Sequence, residues 1–181
     1  MTAPKGTESF TSVKSKETEE KHKQLAGEVV REFPDIFLKP AISIEEIIGK
    51  GNVVYGTKAN GSPSESKPDG GVVYYRNKPV AFLESKYQKN TQNAIERVNK
   101  YVVDLLLLQL PPTNLFVSTY GPGFKKQRKA TSTGPQIDKL RALGAVCLEN
   151  PTDKEFRETL RSFFATIQEQ QAGVILEMRA S

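Results

Sequence analysis

The sequence predicts an α/β domain built on a mixed central sheet with helices on both faces. Three observations carry this expectation. A β-hairpin pattern lies near the middle of the chain, further apolar strands follow it singly, and a helical pattern precedes each of them. Hairpin strands pair antiparallel, whereas strands joined through helices pair parallel, so the sheet is expected to be mixed. The expected order is α, α, β, β-hairpin, α, β, α, β, α.

Residues 1–16 mix Thr, Ser, Lys and Gly with few apolar side chains and are expected to form a flexible arm, which leaves 17–181 as a single domain. Leu25, Val29 and Phe33 recur at a spacing of four, which predicts a helix over 17–33 stopped by Pro34. Ser43 and Glu46 form a capping box for a short helix carrying Ile44, Ile47 and Ile48. A strand is expected over 52–55, then a Gly-, Ser-, Lys- and Pro-rich loop over 56–68. The runs 71–76 and 79–86 read as a hairpin turned at Asn77-Lys78.

A long helix is expected over 92–110, ended by Pro111-Pro112. Ile95, Val98, Val102, Leu105 and Leu106 make its apolar stripe, with Asn93, Arg97, Lys100 and Asp104 on the opposite one and Glu96 at its edge. A strand over 115–120 precedes a loop over 121–134 that holds the basic cluster Lys125, Lys126, Arg128 and Lys129. Pro135 opens a helix that ends at Gly144, and 145–148 is a strand. Asp153 caps a last helix running to about residue 171, and 174–176 is a candidate edge strand.

A chain of 181 residues has room for one sizeable core. Hydrophobic residues make up 37% and charged residues 26%, an ordinary globular balance. The net charge of +5 favours an anionic partner such as nucleic acid. With one cysteine, Cys147, no internal disulfide forms, and a reducing, intracellular home fits. Cys147 sits in an apolar run and is expected to be buried. The only histidine, His22, lies in the charged stretch Glu19-Glu20-Lys21-His22-Lys23 and is expected to be a solvated helix residue. One Cys and one His cannot build a zinc site, so any catalysis is expected to run on carboxylates, lysines or hydroxyls. The polar N-terminus predicts no signal peptide, and no apolar run reaches the ~20 residues that span a bilayer.

The hairpin concentrates the chemistry. With its turn at Asn77-Lys78, Asp69 falls opposite Lys86, and Gly71 opposite Glu84. Side chains alternate along a strand, so Asp69, Glu84 and Lys86 share one face at the open end of an otherwise apolar hairpin. A slip of one residue is expected to scatter them. Two adjacent carboxylates repel unless a cation neutralises them. Mg²⁺ suits this set: it is hard, prefers oxygen ligands, and the Ser85 backbone carbonyl is available as a further donor. Lys86 would then orient the attacking water, help deprotonate it, or stabilise charge on the phosphoryl oxygens.

Ser66-Lys67-Pro68-Asp69-Gly70-Gly71-Val72-Val73, then Ala81-Phe82-Leu83-Glu84-Ser85-Lys86-Tyr87-Gln88, then Asn93-Ala94-Ile95-Glu96-Arg97 resemble the type II restriction endonucleases of the EcoRI and MunI kind, within the PD-(D/E)xK nuclease superfamily. The resemblance covers roughly residues 20–120, and its most specific part is the Asn93-to-Arg97 pentapeptide. It implies a PD-(D/E)xK restriction-endonuclease-like core, with Asp69, Glu84 and Lys86 catalytic and Asp69, Glu84 and the Ser85 carbonyl on Mg²⁺. It also implies a homodimer that cuts both strands of a palindromic double-stranded DNA site, with a DNA methyltransferase as partner in the same system, in a bacterial or archaeal cytoplasm.

By the same resemblance, the segment Asn93, Ala94, Glu96 and Arg97 reads the adenines of a central AATT, and an Asn amide does match the adenine edge in the major groove. Lys100, Gln88, Lys89 and the cluster Lys125, Lys126, Arg128 and Lys129 are the further expected DNA contacts. Only residues 87–92 separate the E-x-K run from that pentapeptide, and the outer base pairs, the number of metals, the dimer surface and a third carboxylate such as Glu46 or Glu28 stay open. Two other functions compete. A structure-specific repair or junction nuclease would share the triad without the pentapeptide, and a non-enzymatic DNA-binding module would share only the fold.

Overall fold

The computed structural model describes residues 10–49, 58–62, 64–87, 96–121 and 133–180. The chain opens with α1 (Phe10–Val30) and β1 (Ile36–Lys39). β2 (Ile42–Ser43) leads into the short α2 (Ile44–Ile48). β3 (Glu65–Ser66), β4 (Gly71–Tyr75) and β5 (Lys78–Tyr87) come next. A 3₁₀ turn (Glu96–Val98) runs into α3 (Asn99–Leu107). Then follow β6 (Leu115–Tyr120), α4 (Thr133–Ala142), β7 (Val146–Glu149) and α5 (Asp153–Ala180).

The five-stranded sheet has the order β1-β4-β5-β6-β7, and β2 and β3 pair separately. β4 is antiparallel to both β1 and β5. β5, β6 and β7 are parallel. The sheet is therefore mixed, as expected from one hairpin followed by strands reached through helices. β4 is buried along its whole length, which is why its sequence is a continuous apolar run rather than an alternating one.

Two cores flank the sheet. On one face α1 and α5 contribute Leu25, Val29, Leu160 and Phe164 against Val73, Leu83 and Phe116. On the other, α2, α3 and α4 contribute Ile47, Tyr101, Leu105 and Ile137 against Phe82 and Val117. α5 starts from a reciprocal cap. Thr152 N–H donates to Glu155 Oε2 at 2.8 Å, and Glu155 N–H donates to Thr152 Oγ1 at 3.2 Å. Ser43 caps α2 by accepting from Glu46 N–H at 3.0 Å.

Several elements depart from expectation. α1 begins at Phe10, so 10–16 belong to the helix and not to an arm; no Gly or Pro interrupts the chain from 10 to 26. β1 has no counterpart in the expected order, because four residues are too few to display a periodicity. α3 stops at Leu107, where Gln109 turns left-handed (φ 59°) and Leu110 N–H returns to the Leu105 carbonyl at 2.8 Å. Its buried face is Tyr101 and Leu105, with Val98 of the preceding 3₁₀ turn, while Leu106, expected on the apolar stripe, is 58% exposed. α5 continues through 174–176 to Ala180, so the candidate edge strand there is helical. Cys147 is half-buried rather than buried, and burial still pushes its thiol up to about 11. The strand expected over 52–55 lies outside the described residues. Among the described residues no helix is long and apolar enough to cross a membrane.

Candidate active site

The β4–β5 hairpin turns one residue earlier than expected, with Tyr75 paired to Lys78 across Arg76-Asn77. Arg76 adopts φ 55° there. Val80 is then an extra residue between the Tyr74–Pro79 and Val73–Ala81 pairs, a β-bulge. The net result is that Gly71 faces Leu83, not Glu84. The expected register is therefore wrong by one.

The charged groups nevertheless meet. Asp69 precedes β4 in a turn closed by Gly71 N–H to the Pro68 carbonyl at 3.0 Å, so strand alternation does not govern its direction. Gly70 N–H donates to the Leu83 carbonyl at 2.9 Å, drawing that turn against β5. A Cβ at Gly70 would lie 2.7 Å from Leu83 Cβ and 2.8 Å from its carbonyl oxygen, so only glycine permits this approach. Lys86 Nζ lies 2.6 Å from Asp69 Oδ2 and 3.0 Å from Glu84 Oε1. Asp69 N–H points to Glu84 Oε1 at 3.4 Å.

Burial differs sharply within the cluster. The Glu84 side chain is wholly buried, whereas that of Asp69 is 27% exposed. Burial pushes the Glu84 carboxyl up to about 7; Lys86 pulls it back, and Asp69 adds repulsion. Burial works to lower the Lys86 pKa, but Glu84 and Asp69 outweigh it and leave it raised. Lys86 is thus held as an ammonium. Glu84 Oε1 also accepts from Ser85 N–H at 2.9 Å, while Oε2 is buried with no hydrogen-bond partner among the described residues, although the Tyr101 hydroxyl is near enough to favour the charged carboxylate. A buried carboxylate oxygen without a donor is costly and suits a cation that the protein takes up. Asp69 and Glu84 are hard oxygen donors, so the residues present fit Mg²⁺. Among the described residues no group of three or more His, Cys, Asp or Glu side chains gathers as a metal site. Glu28 and Glu46 are engaged elsewhere: Arg157 holds Glu28 at 2.9 Å, and the Tyr74 hydroxyl donates to Glu46 at 2.9 Å.

Beside the cluster lies a cavity of about 600 Å³ that reaches from Asp69, Lys67, Lys39 and Lys23 down to Ile36 and Leu38. Of the expected DNA contacts, Arg97 and Lys100 are exposed near the start of α3, and Glu96 opens the 3₁₀ turn before it. Lys100 Nζ stands 4.7 Å over the Tyr101 ring. Gln88, Lys89, Asn93, Ala94, Lys125, Lys126, Arg128 and Lys129 lie outside the described residues.

His22 overturns expectation most plainly. It is buried, with Nδ1 2.5 Å from Ser85 Oγ and its ring stacked on Phe156 at 4.7 Å. Burial, with help from Lys21, lowers its pKa to about 4, so it is neutral near pH 7. Its partner Ser85 points away from Glu84 and Lys86, because side chains alternate along β5. Asp104, expected on the stripe opposite the apolar one, accepts from the Ser66 hydroxyl at 2.7 Å. Tyr101 donates to the Lys67 carbonyl at 2.9 Å. The one sequence signal for this pair is their spacing of three, which puts both on one helix face.

No protein-family model, curated protein or solved structure matches the chain.

Proposed function

We propose that the chain is a Mg²⁺-dependent type II restriction endonuclease with a PD-(D/E)xK core. On this reading a homodimer cuts both strands of a short palindromic DNA site centred on AATT. The observation that carries it is the meeting of Asp69, Glu84 and Lys86 within 3.0 Å contacts at the end of an apolar sheet. A buried carboxylate held near 7, beside a second carboxylate and a retained ammonium, is a costly arrangement for a protein that only binds.

Asp69 and Glu84, with the Ser85 backbone carbonyl, would hold Mg²⁺. The ion would supply Lewis-acid polarisation of the phosphate and neutralise charge that develops on it. Lys86 keeps its proton, which favours a role as donor over one as base. Its N–H groups orient the attacking water and bind the phosphoryl oxygens as negative charge grows. The water oxygen forms a new bond to phosphorus and releases a proton to solvent, while the bond to the leaving sugar oxygen breaks and that oxygen takes up a proton from solvent to leave as a hydroxyl. Arg97 and Lys100 stand exposed at the start of α3, which suits contact with the duplex. A palindromic site calls for a two-fold protein, hence the proposed homodimer. A cell that makes such an enzyme needs a DNA methyltransferase to protect its own sites.

The test is digestion of a sequenced plasmid with Mg²⁺, followed by mapping of the ends. The expected result is ends that all derive from sites containing AATT. Cuts at junctions or branches without a common sequence would replace this reading with a structure-specific nuclease.

A further inference from the structure

Two hydrogen bonds from α3 reach the segment that delivers Asp69. Tyr101 O–H donates to the Lys67 carbonyl at 2.9 Å, and Asp104 accepts from Ser66 O–H at 2.7 Å. Only Pro68 separates this anchored pair from Asp69, and proline locks one of the intervening torsions. The Tyr101 ring also stacks on Phe82, with centroids 5.6 Å apart. Phe82 lies two residues before Glu84 on the same face of β5. Tyr101 therefore touches the carriers of both carboxylates, and it is itself buried.

The two carboxylates are held differently. Glu84 is fixed by complete burial. Asp69 is partly exposed and sits in a turn, so its place depends on what anchors that turn. The Lys86 ammonium bridges the two carboxylates, at 2.6 Å from Asp69 and 3.0 Å from Glu84, but it does not fix the turn that carries Asp69.

We propose that Tyr101, together with Asp104, is a positioning residue that sets the spacing of the Asp69 and Glu84 carboxylates and thereby the metal affinity of the site. This role rests on the nuclease reading. Groups that orient metal ligands typically cost about 10- to 100-fold in metal affinity or activity when removed.

Tyr101→Phe keeps the ring on Phe82 and removes the O–H, and with it both the bond to the Lys67 carbonyl and the hydroxyl's interaction with the Glu84 carboxyl, whereas Ser66→Ala leaves that second interaction in place. Ser66→Ala removes the other donor. For wild type and both variants, Mn²⁺ uptake is measured by electron paramagnetic resonance. DNA binding is measured at saturating Ca²⁺, and plasmid cleavage across a Mg²⁺ series. Each variant is expected to bind Mn²⁺ about tenfold more weakly and to need about tenfold more Mg²⁺ for half-maximal cleavage. DNA affinity at saturating Ca²⁺ and the cleavage rate at saturating Mg²⁺ are expected to stay near wild type. Should Tyr101→Phe fail to fold, Ser66→Ala decides alone. Wild-type Mn²⁺ affinity in a folded variant overturns the positioning role and leaves the nuclease reading standing. Wild-type protein that takes up no Mn²⁺ and cuts no DNA overturns both.

Discussion

Replacing Glu84 by Gln is expected to stabilise the metal-free protein above neutral pH, although it removes a proposed metal ligand. Burial moves this carboxyl from its ordinary 4.5 to about 7. Between those values the folded chain binds a proton that the unfolded chain has released, so stability falls as pH rises through the window. The full displacement corresponds to about 3 kcal/mol at pH 8. Gln carries no charge to desolvate, and the attraction to Lys86 is already included in that displacement, but the Gln amide sets a further donor beside the Lys86 ammonium, which keeps Asp69 at 2.6 Å. The net gain is expected to be about 1–2 kcal/mol, or about 3–6 °C in Tm for a domain of this size. At pH 5 Glu84 is already protonated, and the gain should vanish. Thermal unfolding followed by circular dichroism in EDTA from pH 5 to 8.5 measures this. A Glu84→Gln protein that melts below wild type equally at pH 5 and pH 8 would refute the claim that burial strains the carboxylate.

Two further outcomes follow from the packing. Gly70→Ala places a Cβ 2.8 Å from the Leu83 carbonyl oxygen, so the turn must move and carry Asp69 with it; cleavage is expected to drop by about 100-fold or more in a plasmid assay. His22→Ala strands the Ser85 hydroxyl and leaves a void against Phe156, with an expected loss of about 2–4 kcal/mol in urea denaturation at pH 7. Because His22 is held down to about 4, its contribution is lost as pH falls from about 6.5 toward 4, so that difference should shrink in acid.

What the sequence disclosed was mostly local. β6 matches its expected 115–120, because Leu115, Phe116 and Val117 open the run apolar on both faces and turn residues bound it. The Ser43 cap was legible for the same reason, as its partner lies three residues on. The register of the hairpin was not, since a left-handed Arg76 and a bulge at Val80 carry no strong local signature. The candidate site survived that error because Asp69 lies in a turn and long side chains bridge a one-residue slip. The burial of His22 depends on Ser85 and on Phe156 of α5, partners remote in sequence, while its neighbours in the chain are all charged. The α3 anchor of Ser66 and Lys67 is hidden likewise, because it joins two segments far apart in the chain.

The most direct test of the central claim compares wild type with Asp69→Ala on a plasmid that contains AATT sites, with Mg²⁺, with Ca²⁺ and with EDTA. Wild type should cut with Mg²⁺ alone, while Asp69→Ala should leave the plasmid intact yet still bind the site with Ca²⁺. Cleavage by Asp69→Ala at the wild-type rate, or by wild type in EDTA, would contradict a metal-dependent site built on Asp69, Glu84 and Lys86.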